Sequence, residues 1–562
     1  MKKFMSEDAM KLNALEYRIT LVFNYLRLED IPSEQNYVVL FLLSILKDDL
    51  ITRDIVSEEN DIHENLAKLF LNSEDHIVQQ YLPIYQNFEP ILKRISSEGL
   101  FRIFRTMLGF NRKVFLENFT DIFDNLLESI TLSQGRHSSL SFQPVELTRF
   151  ICAQADLPKK SKVFNPFAGL ASFGIFLEEG HEYFGQEINS LAFVLGKLRL
   201  MAFDKLESCN YVLNDSILQW PNQSEKFDFI LANPPYGMRL SRQYREMELG
   251  RHYFSIEHFL IEKGINSLND NGKLIAVMST SFLYQSSFRR LRENLINQDL
   301  IDTIISLPGG LLLNTGIPLI ILVINKNKKL AGKVRFINGE KFVETKSSRE
   351  KVLNDYALNE VFVGNVQDSD VVRVIDNNQI KDNDYSLNVP RYFQPHIEGV
   401  KLKEIVQFFR GRRGDLPDKG KVIQIGNLNE DKLDFKLDMS NVDESEFVRS
   451  EFRLIEESCL LLTMLGKTLK PTLFEYKGEH VFLNPNILSC KINEEIIDPA
   501  YLINELDADY VKGQLASYRQ LNTIPRIRQD DLLEIVIKLP SLEEQRAKMQ
   551  GVLELSDKIK IL

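Results

Sequence analysis

Hydrophobic residues recur at helical spacing through roughly the first 130 residues of the chain. Leu, Ile and Phe are interleaved with Glu and Lys, as in the segments 37–47 and 115–127. In the second segment, one helical face collects apolar side chains at steps of three and four residues, namely Phe115, Phe119, Ile122, Phe123 and Leu126. Such a stripe is typical of the core of a helical bundle. The pattern therefore predicts an all-helical domain over residues 1–130.

The pattern changes between residues 135 and 330, where short apolar runs are followed by turn residues and then by amphipathic stretches. Alternating strands and helices predict a doubly wound, mostly parallel sheet, and we assign it to a domain spanning 131–395. Sheets of this kind bind ligands beyond the carboxyl ends of their strands. The predicted strands are 162–164, 181–186, 211–213, 227–232, 272–278 and 301–307.

Beyond residue 395 the chain contains short β-like runs, such as 422–425 and 459–463, separated by Gly, Asn and Asp. They predict a separate α+β domain over residues 396–540. A final helix is expected over residues 541–562, with Ser541 as its N-cap and acidic residues in its first turn.

Composition is that of a soluble globular protein: 562 residues, of which 44% are hydrophobic and 26% are charged. No apolar run is long enough to cross a membrane, so we expect a cytoplasmic protein without membrane partners. The formal charge of −11 argues against binding nucleic acid through an overall positive field. Any contact with DNA is therefore expected to be local.

Cysteine and histidine positions do not favour a metal site or a disulfide framework. The four cysteines are widely scattered. The nearest histidines, His252 and His258, are six residues apart and do not share a helical face. We therefore predict no metal.

The most specific chemical motif is Asn-Pro-Pro-Tyr at residues 233–236, directly after the predicted strand 227–232. Two prolines stiffen the loop, so the Asn233 side-chain oxygen and the Pro234 carbonyl can present two fixed acceptors. A planar amine with two hydrogens fits such a pair, and accepting both hydrogens favours its pyramidal, nucleophilic form. Tyr236 is placed to stack on a base flipped out of a duplex. The predicted catalytic residues are Asn233, Pro234, Pro235 and Tyr236; a plain Pro-rich turn is the alternative.

Polar or small residues also follow three other predicted strands. Residues 165–174 follow the first strand and open a helix, where small side chains let a ligand approach the backbone. Glu187 follows the second strand and can accept from the two ribose hydroxyls of a nucleoside cofactor. Asp215 follows the third strand and can accept from an adenine amine. Each acid alone is usually a turn residue or cap, but three loops in register favour a nucleoside site.

Together these motifs resemble the amino-methyltransferases that act on DNA, most closely the modification subunits of type I restriction-modification systems. The resemblance implies a Rossmann-like fold and S-adenosylmethionine as cofactor, with Asn-Pro-Phe-Ala-Gly at 165–169 holding its methionine part. A Phe-x-Thr-Pro-like loop is matched by Ser-Phe-Gln-Pro at 141–144, with Gln143 at the usual Thr position. Ala171 replaces a second glycine. The implied cofactor-binding residues are Phe142, Gln143, Pro144, Asn165, Pro166, Phe167, Ala168, Gly169, Ala171, Glu187, Ile188 and Asp215.

Two further segments extend the resemblance. Phe288, ahead of Arg-Arg-Leu-Arg, resembles an aromatic residue that packs on the flipped base. The third domain is similar to the target-recognition half of a type I specificity subunit, in the segments 400–414, 524–532 and 537–545. Residues 401–562 hold 24 Lys and Arg against 28 Asp and Glu, so DNA recognition would rest on a small face. The implied phosphate contacts are Arg410, Arg412 and Arg413.

The predicted function is site-specific adenine-N6 methylation of double-stranded DNA in a restriction-modification system. Methylation of a protein glutamine, of a cytosine amine or of RNA are alternatives, as is a catalytically silent DNA-binding module. The fused recognition domain favours DNA, and Asn at the first motif position favours adenine over cytosine. Expected partners are a second copy of the chain, or a specificity or restriction subunit, through the final helix.

A fused restriction nuclease is a further alternative, because a metal-dependent nuclease needs a Glu-x-Lys motif. The chain has this motif at 344–346 and 475–477, and we interpret both segments as solvated faces.

Overall fold

The computed structural model describes two compact units, residues 1–386 and 387–562, and each is considered by itself. The described residues are 7–52, 55–56, 61–135, 140–155, 158, 160–178, 180–222, 224–241, 244, 253–312, 316–345, 351–364, 369–412, 417, 419–429, 435–445, 451–518 and 526–561, without the side chains of 7–10 and 552–561.

The first unit begins with a layer of helices, as predicted. These helices do not form a core of their own, because their buried side chains pack against α10, a helix of the sheet region. Leu195 and Leu198 of α10 belong to the same cluster as Phe41 and Phe123. A boundary at residue 130 therefore does not separate two compact bodies. The described α-helices of the first unit up to residue 202, which include those of the layer and the first ones of the sheet region, are α1 (Glu7–Leu28), α2 (Val38–Lys47), α3 (Ile62–Asn72), α4 (His76–Leu92), α5 (Ser97–Leu108), α6 (Arg112–Glu117), α7 (Phe119–Ser133), α8 (Val145–Ala155), α9 (Ser172–Phe176) and α10 (Ser190–Ala202).

The predicted helical stretch 115–127 is broken at Asn118, which ends α6 and precedes α7. The Asn118 side chain donates to the Val114 carbonyl over 2.8 Å. Such local bonds to the backbone explain why Asn favours helix ends. Phe115 and Phe119 are nevertheless both buried, so the apolar stripe continues across the break.

A nine-stranded sheet forms the centre of the unit, in the order β11-β8-β6-β7-β5-β4-β1-β2-β3. The four neighbours β4, β1, β2 and β3 are parallel, so their carboxyl ends meet at one edge. The strands are β1 (Lys162–Asn165), β2 (Glu182–Glu187), β3 (Cys209–Leu213), β4 (Phe227–Ala232), β5 (Leu268–Ser279), β6 (Ile301–Leu307), β7 (Leu319–Asn325), β8 (Lys333–Asn338) and β11 (Val372–Asp376), with β9 (Val343–Thr345) and β10 (Lys351–Leu353) as a separate pair. The α/β fold class and all six predicted strands are confirmed.

Strand β7 was not predicted and, together with the antiparallel edge strand β11, it makes the sheet mixed. It lies antiparallel between β5 and β6, and all seven of its residues are buried. A strand buried on both faces has no polar alternation, so its sequence does not show the period of two that marks a half-exposed strand. The helices that accompany this half of the sheet are α11 (Ile256–Ser267), α12 (Ser281–Tyr284), α13 (Arg289–Asn297), α14 (Asp355–Val363) and α15 (Asn377–Asp382).

The second unit combines short helices with two four-stranded sheets, in the orders β13-β20-β17-β18 and β15-β14-β19-β16, and the pair β12-β21. This is the predicted α+β class. Its strands are β12 (Val400–Lys401), β13 (Val406–Phe409), β14 (Gly420–Ile423), β15 (Glu444–Ser445), β16 (Arg453–Ile455), β17 (Cys459–Thr463), β18 (Thr472–Phe474), β19 (Val481–Leu483), β20 (Ile487–Ile492) and β21 (Val536–Ile537). Its helices are α16 (Val389–Tyr392), α17 (Leu402–Ile405), α18 (Pro499–Leu506), α19 (Asp509–Tyr518), α20 (Gln529–Leu533) and α21 (Leu542–Ile561).

The final helix, α21, starts as predicted, because Ser541 and Glu544 exchange hydrogen bonds around its first turn. Its first half belongs to the core of the second unit: Gln545 is fully buried and accepts from the Asp498 backbone over 2.8 Å. Among the described helices of the chain, none combines the length and the apolar character needed to span a bilayer.

Candidate active site

A cleft of about 480 Å³ lies at the edge of the sheet where β4, β1, β2 and β3 end. Loops from all four strands contribute to it. Asn165 closes β1, Glu187 closes β2, Asp215 follows β3 and Asn233 follows β4. The structure thus brings together the four predicted motif positions. Predicted site residues that line the cleft are Gln143, Asn165, Pro166, Phe167, Ala168, Gly169, Glu187, Ile188, Asp215, Asn233, Pro234, Pro235 and Tyr236.

The loop after β1 is shaped by its own hydrogen bonds. Asn165 Oδ1 accepts from the Phe167 backbone at 3.2 Å, and Asn165 Nδ2 donates to the Tyr183 hydroxyl at 3.1 Å. Gly169 adopts φ +52°, a left-handed conformation that glycine tolerates best. Apart from Gly169 and its two neighbours in the chain, no atom lies within 4 Å of where a Gly169 Cβ would sit, so the loop leaves open space for a ligand. Ala171 is also left-handed, at φ +55°, which explains why a glycine is usual there.

Glu187 joins two of these loops through its carboxylate. Its oxygens accept from the backbone N–H of Gly169 at 2.8 Å and of Asn189 at 2.7 Å. Burial raises the pKa of Glu187, and the backbone donors partly oppose that rise. Ile188 beside it is 64% exposed, which is unusual for a large apolar side chain and leaves a flat apolar surface at the cleft.

The resemblance implies that Glu187 holds S-adenosylmethionine. On that basis we expect Glu187→Gln to weaken binding of this cofactor by roughly 10- to 100-fold, because hydrogen bonds to a charged group are the stronger ones. The amide would also place its NH₂ group against a backbone N–H that the carboxylate now accepts. Isothermal titration calorimetry measures the change. Glu182→Gln, an exposed change on the same strand, is the control; equal affinity in wild type and Glu187→Gln would contradict the assignment.

Asp215 is held by the turn after β3. Its Oδ1 accepts from the Ile217 backbone at 2.8 Å, and its Oδ2 accepts from the Tyr244 hydroxyl at 2.8 Å. The bond to Asp215 raises the pKa of Tyr244, so the hydroxyl stays protonated as the donor. Tyr244 was not predicted as a site residue, and nothing in its sequence position marks it, since it lies 29 residues from its partner.

Asn233 has both ends of its amide engaged. Nδ2 donates to Gln143 Oε1 over 2.9 Å, and Oδ1 accepts from the Tyr236 hydroxyl. Burial raises the pKa of Tyr236, so this hydroxyl also keeps its proton. The Asn233 oxygen, which the proposed chemistry requires as an acceptor, therefore already receives a donor in the structure.

A buried acid supports the loop after β4. Glu257 in α11 is 1% exposed and accepts from the Ser279 backbone at 3.1 Å and the Ser279 hydroxyl at 2.8 Å. It also accepts from the backbone of Gly237, directly after the Asn-Pro-Pro-Tyr motif. Burial raises the pKa of Glu257. Sequence reasoning missed Glu257, because an acid in the first turn of a helix ordinarily faces solvent.

Arg199 links the helical layer to the loop after β1. Its guanidinium, 1% exposed, donates to both carboxylate oxygens of Asp124 at 2.7 and 2.6 Å. It also donates to the Leu170 carbonyl at 3.3 Å and the Ser172 hydroxyl at 3.0 Å. The ring of Phe142 lies 5.1 Å from it. One buried cation therefore ties α7 to the loop after β1.

Four predicted residues do not occupy the expected places. Phe142 packs on Arg199, and neither it nor Pro144 lines the described cleft, because side chains alternate along the extended segment and Ser141 and Gln143 face the cleft instead. Ala171 is fully buried below the loop and contributes backbone shape only. Phe288 is 2% exposed and packs against the rings of Phe254 and Phe282, so it is a core residue and has no free face for a base.

In the second unit, Arg410 lines a groove of about 490 Å³ whose described lining carries basic side chains and no carboxylate. The basic residues are Arg410, Arg453, Arg526 and Arg528. Arg412 is exposed beside it, 4.0 Å from Glu456, and Arg413 lies outside the described residues.

Of the two Glu-x-Lys segments, 475–477 lies on the surface, where the Glu475 and Lys477 side chains are 3.9 Å apart. In the other segment, Lys346 lies outside the described residues.

The fold and the cleft define an α/β protein of the methyltransferase class. A solved methyltransferase subunit of a type I restriction-modification system, from Streptococcus thermophilus, shares the fold with a TM-score of 0.54 at 16% identity. The superposition covers 68% of this chain and 99% of that one.

Sequence comparisons identify the family. A family model described as N-6 DNA Methylase matches residues 116–399, half of the chain, and the chain belongs to that family. The type I restriction enzyme MjaVII methylase subunit of Methanocaldococcus jannaschii is 26% identical over 317 residues, 48% of this chain and 52% of that relative. The MjaVIII methylase subunit of the same organism is 24% identical over 409 residues, covering 64% and 70%. The chain thus spans about half the length of the first of these relatives. Family and fold imply S-adenosylmethionine as the cofactor.

Proposed function

We propose that the chain is a site-specific adenine-N6 DNA methyltransferase of a restriction-modification system. The observation that carries this proposal is the Asn233 oxygen, held at the same sheet edge as Glu187 and Asp215. Methyl transfer from a nucleoside cofactor to adenine requires an acceptor for the adenine amine. It also requires groups that hold the nucleoside, and the two acids can serve in this way. Membership in the N-6 DNA methylase family supports adenine as the acceptor.

The residues of the cleft fit S-adenosylmethionine. Its ribose hydroxyls would donate to Glu187, and its adenine would lie on Ile188 with its amine toward Asp215. The open backbone around Gly169 would take the methionine part. When bound, S-adenosylmethionine supplies an electrophilic methyl group.

The protein's own part in the reaction is to hold the acceptor amine. Asn233 Oδ1 and the Pro234 carbonyl would accept the two amine hydrogens, which localises the nitrogen lone pair toward the methyl group. The Tyr236 hydroxyl would give way at Oδ1 as the amine arrives, and its ring would then stack on the base. No titratable base is required for the attack, because the amine loses its proton after the methyl group has transferred.

The DNA substrate is the part of the proposal that depends most on the second unit. The arginine-lined groove that contains Arg410 has the charge that a phosphate backbone requires. The positive charge of this groove is local, as expected for a DNA contact in a chain whose net charge is −11. We further propose that a second copy, or a specificity or restriction subunit, completes recognition through α21.

Labelling with tritiated S-adenosylmethionine tests the function. We expect label on unmethylated genomic DNA, in N6-methyladenine after digestion, and no label on protein or RNA. Label on protein but not on DNA would contradict the substrate and favour the glutamine alternative. DNA binding without any transfer would favour a silent recognition module.

Activity can be followed across a sizing column with light scattering in the same experiment. Activity is expected in fractions larger than the monomer, either from the chain alone or after a partner subunit is added. Full activity in a strictly monomeric fraction would refute the assembly proposal and leave the methyl transfer intact.

A further inference from the structure

We infer that Gln143 and Thr148 set which end of the Asn233 amide faces the substrate. The inference deepens the proposed function and rests on it. An amide carries a donor and an acceptor of nearly equal size, so its neighbours decide its orientation. Only the orientation with Oδ1 toward the amine accepts a hydrogen; the reverse sets two donors against each other.

The orientation can be traced to a backbone carbonyl at the start of α8. Thr148 Oγ1 donates its one proton to the Pro144 carbonyl over 3.0 Å. It can then only accept from Gln143, whose Nε2 donates to it over 2.8 Å. Gln143 is left with Oε1 facing Asn233, whose Nδ2 donates over 2.9 Å. The remaining end of Asn233 is the oxygen, and it receives the Tyr236 hydroxyl.

Burial makes the donor and acceptor directions of these hydrogen bonds costly to reverse. Thr148 is 0% and Gln143 is 5% exposed, so water does not replace a missing partner. Reversing both amides would need the Thr148 proton to leave the Pro144 carbonyl. The reversed network therefore has one hydrogen bond fewer, and the observed polarity is preferred.

Gln143 is accordingly a positioning residue that acts through Asn233. It stands where the resembling loop usually has threonine, and its longer side chain spans the distance to Asn233. None of the three linked side chains, Thr148, Gln143 and Asn233, carries a proton that titrates near neutral pH. Neutral substitutions of these residues should therefore lower the rate at every pH without altering the shape of the pH–rate profile.

The test compares Thr148→Val with Thr148→Ser in the full-length protein, or in its active complex. Valine keeps the shape and removes the hydroxyl, whereas serine keeps the hydroxyl and removes a methyl group. At saturating S-adenosylmethionine and DNA, we expect Thr148→Val to lower kcat roughly tenfold, the effect of a buried amide without its partner. Thr148→Ser should retain most of the wild-type kcat, and neither change should alter the Kd for S-adenosylmethionine.

A second pair addresses Gln143 itself. Gln143→Glu keeps an acceptor toward Asn233, although Thr148 must then turn its proton from the Pro144 carbonyl to the new carboxylate, so it should retain more kcat than Gln143→Met. Equal kcat in Thr148→Val and wild type would overturn the inference alone. The inference would also be overturned if kcat among the variants followed their unfolding temperatures and not the presence of the hydroxyl at residue 148. A wild-type protein that binds S-adenosylmethionine but labels no DNA would instead overturn the proposed function.

Discussion

Replacing Asn233 by alanine is expected to reduce methyl transfer by roughly 100- to 1000-fold, the effect of removing one preorganised hydrogen-bonding group at a reacting centre. The change removes an acceptor that the amine needs in the transition state, and it leaves Glu187, Asp215 and the loop after β1 in place. The loss should therefore appear in kcat, with the Kd for S-adenosylmethionine little changed. Initial rates of tritium transfer, together with calorimetry, measure the two quantities.

Asn222→Ala is the matched control, because Asn222 is exposed and lies before β4, at the opposite end of that strand from Asn233. It should transfer methyl groups at the wild-type rate. Unchanged activity in Asn233→Ala would refute the mechanism. A weakened Kd with unchanged kcat would assign Asn233 to cofactor binding.

The second large effect concerns stability. Replacing Asp124 by leucine leaves the Arg199 guanidinium buried without its carboxylate, and breaking a buried pair in this way costs about 3–5 kcal/mol. The first unit should show this loss in urea unfolding followed by circular dichroism. Because Arg199 also holds the Leu170 carbonyl, S-adenosylmethionine affinity should fall in the same variant.

The neighbouring helix provides the control acid. Glu117 pairs with Lys113 at 3.8 Å with both side chains largely exposed, so Glu117→Leu should change stability by less than about 1 kcal/mol. The double variant Asp124→Leu with Arg199→Met should be more stable than Asp124→Leu alone, since no charge is left unpaired. If Asp124→Leu and Glu117→Leu are equally stable, the buried pair does not carry the role assigned to it.

The parts of the site that follow from a local rule were predictable from sequence. Asn165, Glu187, Asp215 and Asn233 each come at or just after the end of an apolar run. Parallel strands bring such positions to one edge whatever the details of packing. For the same reason the α/β class and six strands were predicted correctly, although the strand Leu319–Asn325, apolar in its first six residues, was not.

What depended on distant contacts was not predictable. Asp124 and Arg199 are 75 residues apart, and neither sequence context shows that the other exists. Phe142 and Phe288 are aromatic residues in motif-like segments, yet the faces they use are fixed by Arg199 and by Phe254 and Phe282. A one-residue shift in an extended segment exchanges inside for outside, so a motif match alone did not decide which side chains of 141–144 face the cleft.

Tyr236 and Tyr244 lie eight residues apart on the segment after β4, and each donates to an acceptor that a ligand would claim. Under the proposed function, ligand entry would be an exchange: an adenine amine on Asn233 would replace one phenol, and a cofactor amine on Asp215 would replace the other. Each exchange gains little net hydrogen-bond energy. Discrimination between ligands would then come from stacking and shape. Without a ligand, the two tyrosine hydroxyls keep the acceptors on Asn233 and Asp215 hydrogen-bonded.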